Sequence, residues 1–306
     1  MITTLTGANF YELKNQERYL IDKFVADYGD MAVEVIDGEE AETETISGSL
    51  ESLPFLSLRK LVVLKEPSKQ RTFIDKAEQL FSNVSDTTDL ILVEPKLDKR
   101  LSYYKLLQKK TDFQEFKELD MAGTAKWLTQ EVTRLGGNIG DKEAKYLVDR
   151  VGLNQELLAN ELNKLVTYNK NVTLNNIELL IEPTPQSTIF ELIEAAFTLD
   201  NKKMLKLYRE QKALKVEPQQ IIALLTWQFH ILALIKSAGN RTPSQIAKET
   251  GLNPYVISKS MGVVKNLSYS ALKGMISNLL SLDVALKSKS IDADNALQQF
   301  LISISN

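Results

Sequence analysis

The first 120 residues alternate between short apolar runs and segments with helical spacing. The runs Leu61–Leu64 and Leu90–Val93 are apolar at every position. A strand with this pattern is buried on both faces, which is typical of a parallel sheet covered by helices. The segments 11–28 and 73–81 instead place apolar residues three and four positions apart, as on one face of a helix. This alternation predicts an open, doubly wound α/β domain.

The residues after 119 show helical patterns only, and we expect no strand there. The sequence Pro183-Thr184-Pro185 interrupts this region, because a residue before proline is pushed out of the α-helical conformation. Such a break is typical of a domain boundary. From residue 189 to the end, the segments again have helical spacing. The pattern therefore predicts an N-terminal α/β domain, a small helical region and an all-α C-terminal domain.

The composition removes several kinds of chemistry. The 306 residues include no cysteine and one histidine, His230. Disulfides, zinc fingers, iron–sulfur clusters and cysteine nucleophiles are thereby excluded, and we expect no metal site. His230 follows Trp227 in an apolar helical segment, where we expect a core or interface histidine rather than a catalytic one.

The charge is distributed unevenly along the chain. The net charge of −3 argues against a strongly DNA-binding surface on the chain as a whole. Residues 186–306 nevertheless carry 14 Lys/Arg and 9 Asp/Glu, whereas the remaining 185 residues carry 23 and 31. We therefore expect the two parts to meet different partners, or each other.

The longest uncharged run extends from Pro218 to Ile235, and its 18 residues approach the length of a membrane-spanning helix. Because it contains polar residues such as Gln219 and Gln228, we interpret it as a buried core helix. No signal peptide is visible after Met1, and the lack of cysteine fits a reducing cytoplasm. We therefore expect a cytoplasmic protein with no membrane partner.

An α/β domain of this kind raises the question of nucleotide binding. A phosphate-binding loop needs several glycines after the first strand, followed by Gly-Lys-Ser/Thr. The corresponding segment here is Gly7–Tyr11, with one glycine and no lysine. Glu94 stands alone where an ATPase needs acidic residues for Mg²⁺ and water. We therefore expect no ATP binding, no ATP hydrolysis and no other cofactor.

Residues 243–265 have the spacing of a helix-turn-helix, with Ile246 and Val256 in the helices and Gly251 in the turn. The second helix would read DNA, with Lys259 and Lys265 as its cations. A helix that reads bases usually carries more Arg, Asn and Gln. A helical hairpin within an all-α domain is therefore favoured, and a DNA-binding regulator remains the alternative.

The segment Leu53–Lys60 crowds Phe55, Leu56 and Leu58 beside Pro54, directly before an apolar run. Two interpretations are open. The large side chains could pack under the edge of the domain's own sheet, or they could project as a plug into a pocket of a partner protein.

Several motifs occur together in the order and spacing of one protein family. Each is weak alone, but the set extends over nearly the whole chain. The motifs are Leu53–Leu64, Lys96–Arg100 with Tyr104-Lys105, Ala159–Leu165 with Tyr168, Ile189–Leu192, Ile246-Ala247 and the helix Asp283–Lys287. In these residues the chain resembles the delta subunits of the bacterial DNA polymerase III clamp loader.

The resemblance implies a fold and a set of partners. The fold is an AAA+-like α/β domain with a degenerate nucleotide site over residues 1–121, a helical lid domain over 122–185 and an all-α collar domain for oligomerisation over 186–306. The implied role is that of an accessory subunit of the DNA polymerase holoenzyme, without catalysis of its own. The implied partners are the sliding clamp (the beta subunit), the clamp-loader ATPase subunits, the delta prime subunit and primer–template DNA.

The resemblance also assigns a role to the crowded loop. In this family, the loop before the central strand carries a hydrophobic pair that enters a pocket on the sliding clamp, and one ring interface is then held open. Those positions match Phe55 and Leu56, although the family often has Phe where Leu56 stands. The residues implied to support them are Leu53, Pro54, Leu58 and Arg59.

Overall fold

The computed structural model describes residues 1–55, 57–265 and 267–304. The chain divides into two compact units, Met1–Leu119 and Asp120–Asn306. The two units correspond to the change from alternating patterns to helical patterns in the sequence.

The first unit is a five-stranded parallel sheet with helices on both faces. Its strands are β1 (Ile2–Thr6), β2 (Val33–Asp37), β3 (Lys60–Lys65), β4 (Thr88–Glu94) and β5 (Asp112–Glu115). Its helices are α1 (Phe10–Tyr28), α2 (Thr43–Glu51), α3 (Arg71–Ser82) and α4 (Ser102–Lys110). The strand order is β2-β3-β4-β1-β5, and every neighbouring pair is parallel. The predicted parallel α/β architecture is confirmed.

Each face of this sheet has its own hydrophobic core. Leu61 and Val63 of β3 share one core with Phe24 of α1, whereas Val62 and Leu64 belong to the core on the other face. Successive side chains of a strand point to opposite faces. A strand between two cores must therefore be apolar at every position, which explains the uniform runs in the sequence.

The second unit begins with a helical region around a core that includes Leu128, Leu147 and Leu162. Its elements are α5 (Met121–Arg134), β6 (Asn138–Ile139), α6 (Asp141–Val151), α7 (Gln155–Tyr168), β7 (Asn171–Val172) and α8 (Leu174–Leu180). Strands β6 and β7 pair in parallel. The expectation of no strand after residue 119 was therefore wrong, because two-residue strands are too short to show an alternating pattern.

Helices α9–α15 surround a second, separate core of this unit. They are α9 (Pro185–Phe197), α10 (Asn201–Ala213), α11 (Pro218–Ala238), α12 (Pro243–Thr250), α13 (Pro254–Val264), α14 (Tyr269–Ser288) and α15 (Ala293–Ile304). Pro185 opens α9 at its first position, where proline costs no hydrogen bond, and the Thr184 hydroxyl caps the helix. The domain boundaries at 121/122 and 185/186 stay predictions.

Helix α11 runs through this second core and buries Ile221, Leu225, Phe229 and Leu232. Among the described residues, it is the one helix whose length and composition would allow it to cross a membrane, and core helices of soluble proteins often meet the same criteria. Its buried residues support the interpretation as a core helix. His230 lies on its exposed side, which contradicts the core alternative for this histidine and leaves the interface alternative a prediction.

Candidate functional site

The loop of residues 52–59 joins α2 to β3 and exposes large apolar side chains. Leu53 is 75% exposed, Phe55 84% and Leu58 83%. Leu56, the second residue of the predicted hydrophobic pair, lies outside the described residues. The structure therefore does not bury the described apolar side chains of this loop under the edge of the sheet.

The end of this loop is fixed by Arg59. Its Nε and Nη2 donate to the two carboxylate oxygens of Asp89 at 3.1 and 2.8 Å, and its Nη1 donates to the Asp86 carbonyl at 3.0 Å. The N-terminal ammonium of Met1 lies 2.7 Å from the same carboxylate. Burial opposes ionisation of Asp89, but hydrogen bonds from Arg59 and Met1 outweigh it and lower the pKa of this carboxyl group. A bidentate Arg–carboxylate pair fixes both position and orientation.

The start of the loop is held by the side chain of Lys60, the first residue of β3, which reaches back from the other end of the loop. Its side chain is buried, and its Nζ donates to the Ser49 carbonyl and to the Ser52 hydroxyl. Burial lowers the pKa of this ammonium group. In the middle of the loop, the Ser57 hydroxyl donates to the Tyr28 carbonyl at 3.4 Å. Polar contacts thus hold the loop at Ser52, Ser57 and Arg59, while the side chains of Leu53, Phe55 and Leu58 face solvent.

This arrangement suits the binding of a protein. Because both ends of the loop are already held, little backbone entropy is lost when the exposed side chains of Leu53, Phe55 and Leu58 enter a pocket. The sequence identified Arg59 only as a supporting residue, and its partner Asp89 was missed. Because Asp89 is 30 positions away in the chain, no local pattern could have revealed the pair.

The opposite, carboxyl-terminal edge of the sheet is where α/β domains usually bind nucleotides. A cavity of about 370 Å³ lies there, lined by residues of the loops after β1, β4 and β5. The Asn9 N–H donates to the Phe116 carbonyl at 3.0 Å, and the Asn9 side chain caps α1 by accepting from the Glu12 N–H. A Cβ on Gly7 would lie 2.1 Å from the Phe116 oxygen. Gly7 is therefore required by the close approach of Phe116, the residue directly after β5, and the Asn9 N–H that could face a phosphate is already bonded.

Glu94, at the end of β4, is also engaged within the domain. One oxygen accepts from the Ser68 N–H at 2.9 Å and from the Tyr103 hydroxyl at 3.3 Å, and the other accepts from the Ser68 hydroxyl at 2.6 Å. Burial raises the pKa of Glu94 to about 7. Over the part of the chain that the structure describes, no three His, Cys, Asp or Glu side chains are grouped as metal ligands.

Helices α12 and α13 do form the helix-turn-helix that the sequence indicates. However, the side chains of the second helix contact their own unit. The Tyr255 hydroxyl donates to Asp149 of α6 at 2.5 Å, and Lys259 lies 3.5 Å from the same carboxylate and 4.7 Å from the ring centre of Phe190. Burial and the contact with Asp149 raise the pKa of Tyr255. Because the key cation of the supposed reading helix is engaged here, the DNA-binding alternative is not favoured.

A second apolar surface lies on α14 and was missed in the sequence. We define the α14 stripe as Tyr269, Ile276, Leu280 and Val284, which are all exposed. Their spacing of seven, four and four residues places them on one side of the helix. Only Leu272 and Leu279 of α14 are buried in the core. The spacing was visible in the sequence, but apolar residues on two sides of a helix do not reveal which side faces the core.

Comparison with known protein families settles the relationship. A family model described as DNA polymerase III, delta subunit, matches residues 4–117, and one described as DNA polymerase III delta subunit, C-terminal domain, matches residues 186–304. Together they match well over half of the chain. The chain belongs to the family of DNA polymerase III delta subunits. A third model, described as a middle domain, matches residues 123–179.

Individual relatives agree with this family. The chain is 24% identical over 319 aligned residues to the DNA polymerase III subunit delta of Bacillus subtilis (strain 168), with 96% of this chain and 92% of the relative covered. It is similar in structure to a DNA clamp loader delta protein of Bacillus subtilis, with a TM-score of 0.82 and 24% identity. That match covers 99% of this chain and 95% of the other and shows that the two share a fold. The predicted resemblance is confirmed.

Proposed function

We propose that the protein binds the sliding clamp through the loop of residues 52–59 and opens one interface of the clamp ring, so that the ATPase subunits can load it onto primed DNA. The carrying observation is a loop whose backbone is fixed at both ends while Leu53, Phe55 and Leu58 remain exposed. In a member of the delta family, this is the surface that suits the clamp pocket. Phe55 and Leu56 are the proposed anchors.

The proposed mechanism is differential binding. A ligand shifts an equilibrium between two conformations only by as much as its affinities for them differ. A fixed loop favours this, because its geometry is set before binding and can match the open form of the partner better than the closed form. The protein thereby acts as a binding subunit without catalysis of its own.

We also propose that this subunit binds no ATP and needs no cofactor. A phosphate site requires several free backbone N–H groups and a cation directed at the anion. The hydrogen bonds of the Asn9 N–H to Phe116 and of Glu94 to Ser68 support the proposal, because both groups are already engaged within the domain. Isothermal titration of the full chain with Mg-ATP tests it, and micromolar binding would contradict it.

We further propose that the all-α region joins the ATPase and delta prime subunits through the α14 stripe. Helix α11 does not offer this surface, because its buried apolar residues pack in the core of its own unit. The α14 stripe instead presents four exposed apolar side chains without a covering element among the described residues. Such a surface is typical of a protein interface in a cytoplasmic assembly.

Clamp binding is tested by surface plasmon resonance with the clamp of the same organism. We expect tighter binding to a clamp variant that is monomeric, since no ring interface must then be opened. A closed ring whose interfaces are cross-linked should bind more weakly than the normal ring. Absence of binding would overturn the proposal, and equal affinity for all three forms would contradict the ring-opening mechanism.

Assembly is tested by size-exclusion chromatography with the other loader subunits. Leu280→Glu with Val284→Glu should prevent incorporation, because two charges would replace the middle of an apolar contact. Leu179→Glu, in the exposed part of α8, is the matched control and should incorporate normally. Normal incorporation of the α14 double variant would contradict the proposed surface.

A further inference from the structure

Helix α10 carries a concentration of positive charge. The stretch of residues 202–215 contains six Lys/Arg and one acidic residue, Glu210, which gives a net charge of +5. The rest of residues 186–306 contains eight basic and eight acidic residues. The entire excess of positive charge in this part of the chain therefore lies in one stretch.

The orientation of α10 is fixed by its buried side. Met204, Tyr208 and Gln211 are buried. Lys202, Lys206 and Arg209 are exposed and follow one another at spacings of four and three residues, which places them on the opposite side. We call these three residues the basic ridge.

The basic ridge is little neutralised by the protein itself. Lys206 has one acidic neighbour, Glu210, at 3.7 Å, and both side chains are exposed, so that this pair contributes little. Lys202 and Arg209 form no ion pair with any residue that the structure describes. The neighbouring Lys212 does pair with Asp294, which also accepts a hydrogen bond from Tyr208 at 2.9 Å. That contact joins α10 to the start of α15 and gives the ridge a rigid base.

The chemistry of the ridge fits phosphate better than protein. Protein interfaces have an apolar centre and are depleted in lysine. Within α10, all of whose residues are described, no large apolar side chain is exposed between the three cations. At a rise of 1.5 Å per residue, the ridge is about 10 Å long, which spans about three phosphates of one DNA strand.

We propose that the basic ridge of α10 binds the phosphate backbone of DNA without reading its sequence. The proposal rests on the proposed function, because a clamp-loading subunit acts where DNA is present. It names a DNA contact outside the helix-turn-helix of residues 243–265. It also places the DNA contact on the second unit, whereas the proposed clamp contact is the loop of the first unit.

The test uses the full chain and a fluorescein-labelled primer–template duplex of arbitrary sequence, followed by fluorescence anisotropy over a series of salt concentrations. The ridge variant is Lys202→Gln, Lys206→Gln and Arg209→Gln, since glutamine keeps a good helix propensity. The matched control is Lys248→Gln, Lys265→Gln and Lys273→Gln, which removes the same charge from exposed positions around the helix-turn-helix. Circular dichroism verifies that both variants are folded.

We expect the ridge variant to bind at least about tenfold more weakly at low salt, with the slope of log K against log[salt] reduced by about three. The control should keep the wild-type slope. Equal losses in both variants would overturn the proposal in favour of a non-specific charge effect. The proposal would also be overturned if the ridge variant kept its DNA binding but no longer co-eluted with an acidic loader subunit in size-exclusion chromatography. The ridge would then be a contact with a protein.

Clamp affinity, measured on the same variants, separates this inference from the proposed function. We expect it to be unchanged in the ridge variant. If the wild-type chain fails to bind the clamp but its DNA binding depends on the ridge, the proposed function fails while the ridge contact stands. A wild-type chain that binds the clamp but not DNA would contradict the ridge proposal alone.

Discussion

The two edges of the five-stranded sheet use their polar groups in different ways. At the carboxyl-terminal edge, the Asn9 N–H and the Glu94 carboxylate are bonded to Phe116 and Ser68, in the region where related folds hold a nucleotide. At the amino-terminal edge, Arg59 and Lys60 hold a loop on which Leu53, Phe55 and Leu58 are exposed. The difference shows that one α/β sheet can engage polar groups within the domain at one edge and present exposed apolar side chains at the other.

The largest expected effect comes from removing the apolar anchors of the amino-terminal edge. Phe55→Ala with Leu56→Ala should weaken clamp binding by roughly a thousandfold, because each anchor costs about 2 kcal/mol or more when truncated and the two losses add. Surface plasmon resonance gives the affinity, and the urea midpoint of the same variant should be nearly unchanged since Phe55 is exposed.

Phe10→Ala is the matched control for this prediction. Phe10 is exposed as well, but it opens α1 after β1, at the carboxyl-terminal edge. Its truncation should leave clamp affinity intact. If the double variant instead kept its affinity and lost its urea midpoint, the pair would belong to the packing of the domain itself.

The second prediction breaks the carboxyl-terminal edge. Gly7→Ala would place a Cβ 2.1 Å from the Phe116 oxygen in a backbone with φ of +122°. We expect a loss of about 3 kcal/mol in the free energy of unfolding, measured by urea titration. Gly251→Ala, in a left-handed backbone with φ of +72° and open surroundings, is the control and should cost only about 1 kcal/mol.

Equal losses in the two glycine variants would mean that the contact with Phe116 is not what requires glycine at position 7. In either case, clamp affinity of the folded protein should stay at the wild-type value. A change in that affinity would show that the two edges are coupled, and the comparison between them would then fail.

The sequence predicted much of this fold and part of the site. Strands such as Leu61–Leu64 and Leu90–Val93 were visible because both faces of the sheet are buried, which leaves an unmistakable pattern. The crowded loop at Phe55 was visible because its apolar residues have no helical or strand period. The exposure of these side chains could not be predicted from the pattern alone, since a buried loop has the same composition.

Other features were not predictable because they depend on residues far apart in the chain. The Arg59–Asp89 pair and the contact of Tyr255 with Asp149 join positions separated by 30 and 106 residues. The helix-turn-helix spacing was recognised correctly, but only tertiary structure shows that Lys259 contacts its own unit. The clamp-binding role of Phe55 and Leu56 stays a prediction.

The third prediction concerns pH and Glu94. Burial raises its pKa to about 7, from 4.5. The folded state therefore keeps a proton that the unfolded state has lost. The stability that this gives is fully present below pH 4.5 and disappears as the pH rises through about 7. Between pH 5 and pH 8, the free energy of unfolding of the wild type should fall by on the order of 2 kcal/mol. Glu94→Gln cannot ionise, so this fall should not occur in the variant.

Urea midpoints at both pH values give this difference. Glu115→Gln is the control, because the hydrogen bond from Lys99 lowers the pKa of Glu115, which is the direction opposite to that of Glu94. Identical pH dependence in wild type and Glu94→Gln would mean that Glu94 is not protonated in the folded protein. Glu94 would then be an ionised carboxylate that is held by the hydrogen bonds it accepts from Ser68 and Tyr103.

The smallest effect is expected from removing the hydrogen bonds that hold the end of the loop of residues 52–59. Arg59→Ala removes three hydrogen bonds to Asp89 and the Asp86 carbonyl, and the loop must then be ordered during binding. We expect clamp affinity to fall about tenfold, because the entropy of ordering one or two side chains or backbone positions costs about this much binding free energy. Arg59→Lys should recover little of this, because an ammonium group cannot pair bidentately with a carboxylate.

Arg100→Ala removes an exposed arginine that pairs with Asp98 near the other edge, and it should leave the affinity unchanged. If Arg59→Ala bound the clamp as well as wild type, exposure of the apolar side chains alone would account for binding, and their fixed backbone would play no part.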